Sequence, residues 1–197
     1  MSALGGARRR GVHAGVSAVA ILVISGCTDS SDSTQRTDGA AKVAQGSPAT
    51  PTASFTSMAA ETARQRATRT YLAMWQDMAH AAKTSDWRSP LLARHATEDA
   101  LGAITRGLYV DHRNGLVTRG EPKNSPAVIQ LSPPANPGVV VIADCGDSSG
   151  WLKYRQKTGQ LADDRPGGRQ QITAEVTKQG DGAWKVTRFA VEGVGSC

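Results

Sequence analysis

Asp144 is the acid of this 197-residue chain best placed to do chemistry. It ends the apolar run Val139-Val140-Val141-Ile142 and shares the strand alternation of Val140 and Ile142. A carboxylate turned inward there can serve as a general base. The competing role is local: Asp144 or Asp147 accepts backbone N–H bonds and caps a turn. The second feature after it is the histidine set. His80, His95 and His112 are separated by 15 and 17 residues, which fits neither a helical pair nor a zinc pattern. His80 belongs near one edge of a long helix, whereas His95 could face a pocket from a second helix, with Asp144 opposite.

The third feature is Trp151-Leu152-Lys153-Tyr154-Arg155, following a Ser-Ser-Gly turn. Trp151, Tyr154 and Arg155 are residue types that dominate binding sites and could form a stacking rim. Alternatively, Trp151 and Tyr154 tuck into the core while Lys153 and Arg155 extend their charges to water. Asp163-Asp164 lacks the alternating oxygen ligands of a calcium loop. Gly167-Gly168 reads as the turn into the next strand. The chain has no phosphate-binding loop, dinucleotide fingerprint, nucleophile elbow or His-Glu-x-x-His motif, so neither a cofactor nor a metal is expected.

What would position these residues starts with an export signal. Arg8, Arg9 and Arg10 precede an apolar run of nine residues, Val16 to Ile24. That is the layout of a secretory signal peptide, and nine residues fall short of the ~20 that span a bilayer. The ending, Ile24-Ser25-Gly26-Cys27, resembles the lipobox of bacterial lipoproteins. The resemblance implies cleavage after Gly26 and a Cys27 carrying diacylglycerol and fatty acyl chains such as palmitate. The protein would then be held on the extracytoplasmic face of the cell membrane.

Residues 1–26 are therefore read as leader and residues 27–55 as the lipidated cysteine and a tether. Thr28 to Phe55 holds ten Ser or Thr residues and two Pro, with only Val43 and Phe55 as sizeable apolar side chains. Such composition cannot bury enough apolar surface to offset the entropy of ordering it. As a flexible coil it would span about 30 Å; ordering on a partner, or glycosylation, is the alternative. Residues 56–197 make one domain. The formal charge of +6 includes three leader arginines; without the leader, 20 basic residues face 17 acidic ones. A net +3 is an ordinary solvated surface and gives no nucleic-acid footprint. With Cys27 assigned to lipid, Cys145 and Cys197 are left outside the reducing cytoplasm, and the one intramolecular pairing open to them, Cys145–Cys197, is the expected disulfide, with two free thiols as the alternative.

The domain opens with helices. From Ala59 to Lys83 there is no Gly or Pro, and Ala60, Ala63, Ala67, Tyr71, Met74, Trp75, Met78 and Ala82 recur at steps of three and four. Ser89-Pro90 should start a short helix through Leu91 and Leu92 to about Arg94. Thr97 should cap a third, with Leu101, Ile104, Leu108 and Tyr109 inward, ended by Asn114-Gly115. The period then changes to that of strands: 116–119, 127–131, 139–145, 171–178 and 184–191. Gly180-Asp181-Gly182 makes the last two a hairpin. The 139–142 run, apolar on both alternations, predicts a central strand covered on both faces.

Helices first and antiparallel strands after define an α+β domain, with helices packed on one side of a curved sheet. That order is similar to the nuclear-transport-factor-2-like (cystatin-like roll) superfamily. More narrowly, Thr84-Ser85-Asp86-Trp87-Arg88-Ser89-Pro90, Ala143-Asp144-Cys145-Gly146-Asp147 and Trp184-Lys185-Val186-Thr187-Arg188-Phe189-Ala190-Val191-Glu192-Gly193 resemble a family of actinobacterial secreted lipoproteins. This resemblance implies the roll fold and a host group, and no particular activity. The expected function is a non-catalytic module of the cell envelope, binding a small apolar ligand or an envelope protein. The rival is an isomerase, dehydratase or hydrolase that uses Asp144, alone or with His95.

Overall fold

The computed structural model describes residues 52–162 and 167–197, with side chains from residue 58 onward. The leader, Cys27, the tether as far as residue 51 and the Asp163-Asp164 pair lie outside the described residues. Helix α1 runs Thr52–Ala82, beginning earlier than the spacing of its apolar face suggested. The stretch from 52 onward contains no Gly or Pro, so nothing interrupts the backbone ladder. Ala63, Ala67, Tyr71, Met74, Trp75, Met78 and Ala82 are all buried, as the three-and-four spacing predicts. At its end Ser85 takes a left-handed backbone (φ 52°), and its hydroxyl donates to the Leu116 carbonyl. Helix and first strand are thereby tied together.

Helix α2 is a single turn, Leu92–His95. Pro90 and Leu91 lie in the turn before it, so the Ser89-Pro90 start is displaced by two residues. The link that follows docks on the last strand: Ala96 bridges Val186, and the Thr97 N–H donates to the Val186 carbonyl. Helix α3, Glu98–Arg113, buries Ala100, Ile104, Leu108 and Asp111 on one stripe. Thr97 occupies its N-cap without a side-chain bond. Tyr109 is not inward as expected: it is 44% exposed and meets Trp87 edge-on, with ring centroids 5.3 Å apart.

The strands are β1 (Leu116–Arg119), β2 (Ala127–Ser132), β3 (Val139–Asp147), β4 (Leu152–Arg155), β5 (Arg169–Lys178) and β6 (Trp184–Val191). A four-stranded antiparallel sheet has the order β2-β3-β5-β6, and β1 pairs with β4 in a separate two-stranded ribbon. The α+β order expected from the sequence is the architecture found. Two expectations need correction. Strand β3 is sealed on one side only: Val140, Ile142, Asp144 and Gly146 are buried, while Val139, Val141, Ala143 and Cys145 are half-buried. All three helices pack on the first side, so valines on both alternations do not mean two covered faces. The other concerns residues 152–155, which form a strand absent from those expected from the sequence.

The core gathers α1, α3 and the inner sides of β3, β5 and β6. Tyr71, Met74, Val140, Ile142, Val176 and Val186 have less than 2% exposure. Full burial of side chains this size contributes about 1.5–3 kcal/mol each, as an upper estimate. At the far end, Cys145 and Cys197 form a disulfide with Cα atoms 5.9 Å apart. The chain before Cys197 is laid along β5: Glu192 N–H donates to the Gln171 carbonyl, Gly195 N–H to the Arg169 carbonyl, and Gln171 N–H to Ser196 Oγ.

Candidate functional site

Between α1, α3, the β1–β4 ribbon and the inner sheet face lies a cavity of about 400 Å³. Its wall is mostly apolar, with Trp75 and Met78 from α1, Ile104 and Leu108 from α3, Trp151 at the start of β4, Ile172 from β5 and Phe189 from β6. The aromatic side is held by edge-on contacts. Trp75 meets Trp151 at 6.2 Å and 84°, and Phe189 at 5.7 Å and 64°, an arrangement that sets ring edges against ring faces. The indole nitrogens of Trp75 and Trp151 are buried without a hydrogen-bond partner among the described residues. Gly146, on the inward alternation of β3, also lines the space. A Cβ there would stand 2.6 Å from Ile172 Cδ1, so any larger residue would require the end of the Ile172 side chain to move.

One wall is polar. On β1 and β4, Thr118 and Lys153 are directly opposed in the ladder, and both reach the cavity. Lys153 Nζ donates to Asp111 Oδ1 at 2.6 Å. The acid is the inner member of the pair: its side chain is 10% exposed, against 49% for Lys153. Sequence reasoning missed this pair. A signal for Asp111 existed, because it falls at the next helical step after Ile104 and Leu108, a carboxylate on an apolar stripe. Lys153 had no comparable signal, since its position depends on a ribbon whose strands are more than thirty residues apart.

Asp144 is buried (3% exposed) and does not line the cavity. Both its oxygens are occupied. Oδ2 accepts from Tyr71 Oη at 2.8 Å and from Asn124 Nδ2 at 2.6 Å, and Oδ1 accepts from the Ser125 N–H at 2.8 Å. This carboxylate joins α1, β3 and the segment entering β2. Burial first, and the neighbouring Asp144 charge second, push the Tyr71 phenol far above the usual tyrosine value. Trp75 lies edge-on to Tyr71 at 6.2 Å, where its N–H eases the phenol's ionisation slightly but falls short of hydrogen-bond geometry. Asp147 instead accepts from the Ser149 N–H at 2.9 Å, and the Ser149 hydroxyl and N–H beside it hold its carboxyl below the usual value.

His95 does not oppose Asp144. Its Nδ1 lies 2.6 Å from Asp77 Oδ2, so the histidine joins α2 to α1, and it is not among the residues around the cavity. His80 and His112 are exposed. Trp151, Tyr154 and Arg155 do not form one rim. Trp151 reaches the cavity, Tyr154 lies beneath the Arg119 guanidinium at 4.7 Å, and Arg155 is exposed. Among the described residues, no three His, Cys, Asp or Glu side chains gather to hold a metal, and no helix is long and apolar enough to cross a membrane.

No family model matches the chain, nor does any curated protein sequence. Solved structures similar to it include two that cover about two thirds of the chain. One is the intermembrane space region of the chloroplast protein ARC6, at 18% identity and TM-score 0.44, covering 68% of this chain and 96% of that one. The other is a ketosteroid isomerase-like protein from Erwinia carotovora atroseptica SCRI1043, at 12% identity and TM-score 0.43, covering 66% of this chain and 94% of that one.

Proposed function

We propose that this protein is a lipid-anchored extracytoplasmic module of the cell envelope that binds a small, mostly apolar ligand without transforming it. Cys27 carries the acyl chains, residues 28–51 hold the domain off the membrane, and the ligand sits between α1, α3 and the sheet. The observation that carries the reading is the cavity itself. Its 400 Å³ fall within the range of ligand pockets, about 300–1,000 Å³, and its lining of aromatic and aliphatic side chains with a few polar groups is what such pockets have.

Catalysis by Asp144 and His95 has less support. Asp144 accepts three hydrogen bonds from within the fold, and His95 is paired with Asp77. A general base must reach its substrate's proton directly or through one water, and neither residue borders the cavity. The test is titration of the chain from residue 27 onward, carrying Cys27→Ser, with a neutral apolar fluorophore. Trp75 and Trp151 serve as internal reporters through energy transfer. Saturable binding of one probe per chain is expected. Absence of saturable binding across several neutral apolar probes would overturn the reading and favour a domain that contacts only other proteins.

A further inference from the structure

The polar wall of the cavity has an asymmetry that bears on which ligand it takes. Asp111 is buried at the inner side, and Lys153 extends toward solvent. The lysine bonds one carboxylate oxygen, Oδ1, while Oδ2 has no partner among the described hydrogen bonds and is not sealed from solvent. Thr118, 4% exposed, stands opposite Lys153 in the ribbon and lines the same space. The other polar side chains around the cavity are committed elsewhere. Asn124 donates to Asp144, Ser148 and Gln170 bond each other, and Gln170 donates to the Glu192 carbonyl. Apart from the indole N–H donors of Trp75 and Trp151, which are sealed from solvent, the free capacity is an acceptor on Asp111 and a hydroxyl on Thr118 that can donate or accept.

We propose that Asp111, Thr118 and Lys153 form the polar end of the site and select a neutral ligand bearing a hydroxyl group. This rests on the cavity being a binding site. A ligand hydroxyl can donate to Asp111 Oδ2 and accept from Thr118 with one small atom, while the apolar body lies against Ile104, Trp151 and Phe189. An anionic head group would meet the Asp111 charge, beside a Lys153 ammonium already paired with that carboxylate. A cationic head group would meet the Lys153 ammonium. The ion pair thus neutralises the wall and leaves a hydrogen-bond acceptor without a net charge, which discriminates by desolvation: a buried charge without a new partner is penalised far more than a paired hydroxyl.

The test compares 2-naphthylmethanol, 2-methylnaphthalene and 2-naphthoate, which share one ring system, by calorimetry on the Cys27→Ser chain from residue 27. The alcohol should bind about tenfold more tightly than the hydrocarbon, the ratio expected of one charge-assisted hydrogen bond, and more tightly than the carboxylate. Thr118→Val should weaken the alcohol several-fold and leave the hydrocarbon unchanged; Asp111→Ala should remove the preference altogether. Thr118→Val keeps the comparison open if Asp111→Ala fails to fold. Equal binding of alcohol and hydrocarbon would overturn the proposal and leave the cavity as a site for apolar ligands. Tightest binding by the carboxylate would also overturn it, making Lys153 the anchor. Binding by none would remove the ligand site altogether.

Discussion

Tyr71→Phe removes a single oxygen and leaves the buried ring in place. The variant therefore isolates one interaction, the hydrogen bond from Tyr71 Oη to Asp144 Oδ2 at 2.8 Å. A hydrogen bond to a charged group contributes about 1.5–3 kcal/mol to stability. Asp144 would keep its bonds from Asn124 and Ser125, so the loss should fall near the lower half of that range, about 2 kcal/mol. For a domain of this size that lowers the melting temperature by roughly 6 °C. Chemical denaturation at neutral pH measures the difference, with an unchanged denaturant slope showing that the fold is intact. The same bond sets an alkaline signature. The folded pKa of Tyr71 is raised above its ordinary value of 10.0. Its contribution is therefore fully present below pH 10 and is lost as pH rises, because the unfolded chain releases a proton that the native state retains. In a titration followed at the phenolate absorbance, Tyr71 should ionise only as the domain unfolds. A stability change below about 0.5 kcal/mol, or ionisation of Tyr71 while the protein stays folded, would refute the reasoning that Asp144 is a structural hub.

Two further outcomes follow from the covalent features. Cys197→Ser should destabilise the domain by about 2–5 kcal/mol and free the chain from Glu192 onward; alkylation of both Cys145 and Cys197 in the folded, non-reduced protein would contradict the bond. Cys27→Ala should abolish fatty-acid labelling in the native host and leave an unprocessed precursor; a variant labelled and membrane-bound like the wild type would rule out the lipid anchor.

The inward face of α1 was legible because an Ala-rich segment with large side chains at Tyr71, Met74, Trp75 and Met78 has only one way to bury them. The inward turn of Asp144 was equally legible, since strand alternation with Val140 and Ile142 fixes its side. Its partners were not. Tyr71 lies 73 residues away on a helix, and nothing local to either residue encodes that meeting. His95 illustrates the same limit: its neighbour, Asp77, comes from the packing of a one-turn helix on α1. Strand β4 escaped because four residues, two of them charged, become a strand only when β1 supplies the ladder. The polar end of the cavity depends on that ribbon, so it was out of reach as well, apart from the anomalous carboxylate at Asp111.

Ligand occupancy of the cavity is tested most directly by methyl NMR of the Cys27→Ser chain from residue 27, titrated with 2-naphthylmethanol. Saturable shifts should concentrate on the methyls of Met78, Ala103, Ile104 and Ile172, which line the cavity, and Ala103→Trp should suppress them by filling the space without unfolding the domain. Shifts confined to exposed Ile129 and Val194, or identical shifts in Ala103→Trp, would contradict an internal ligand site.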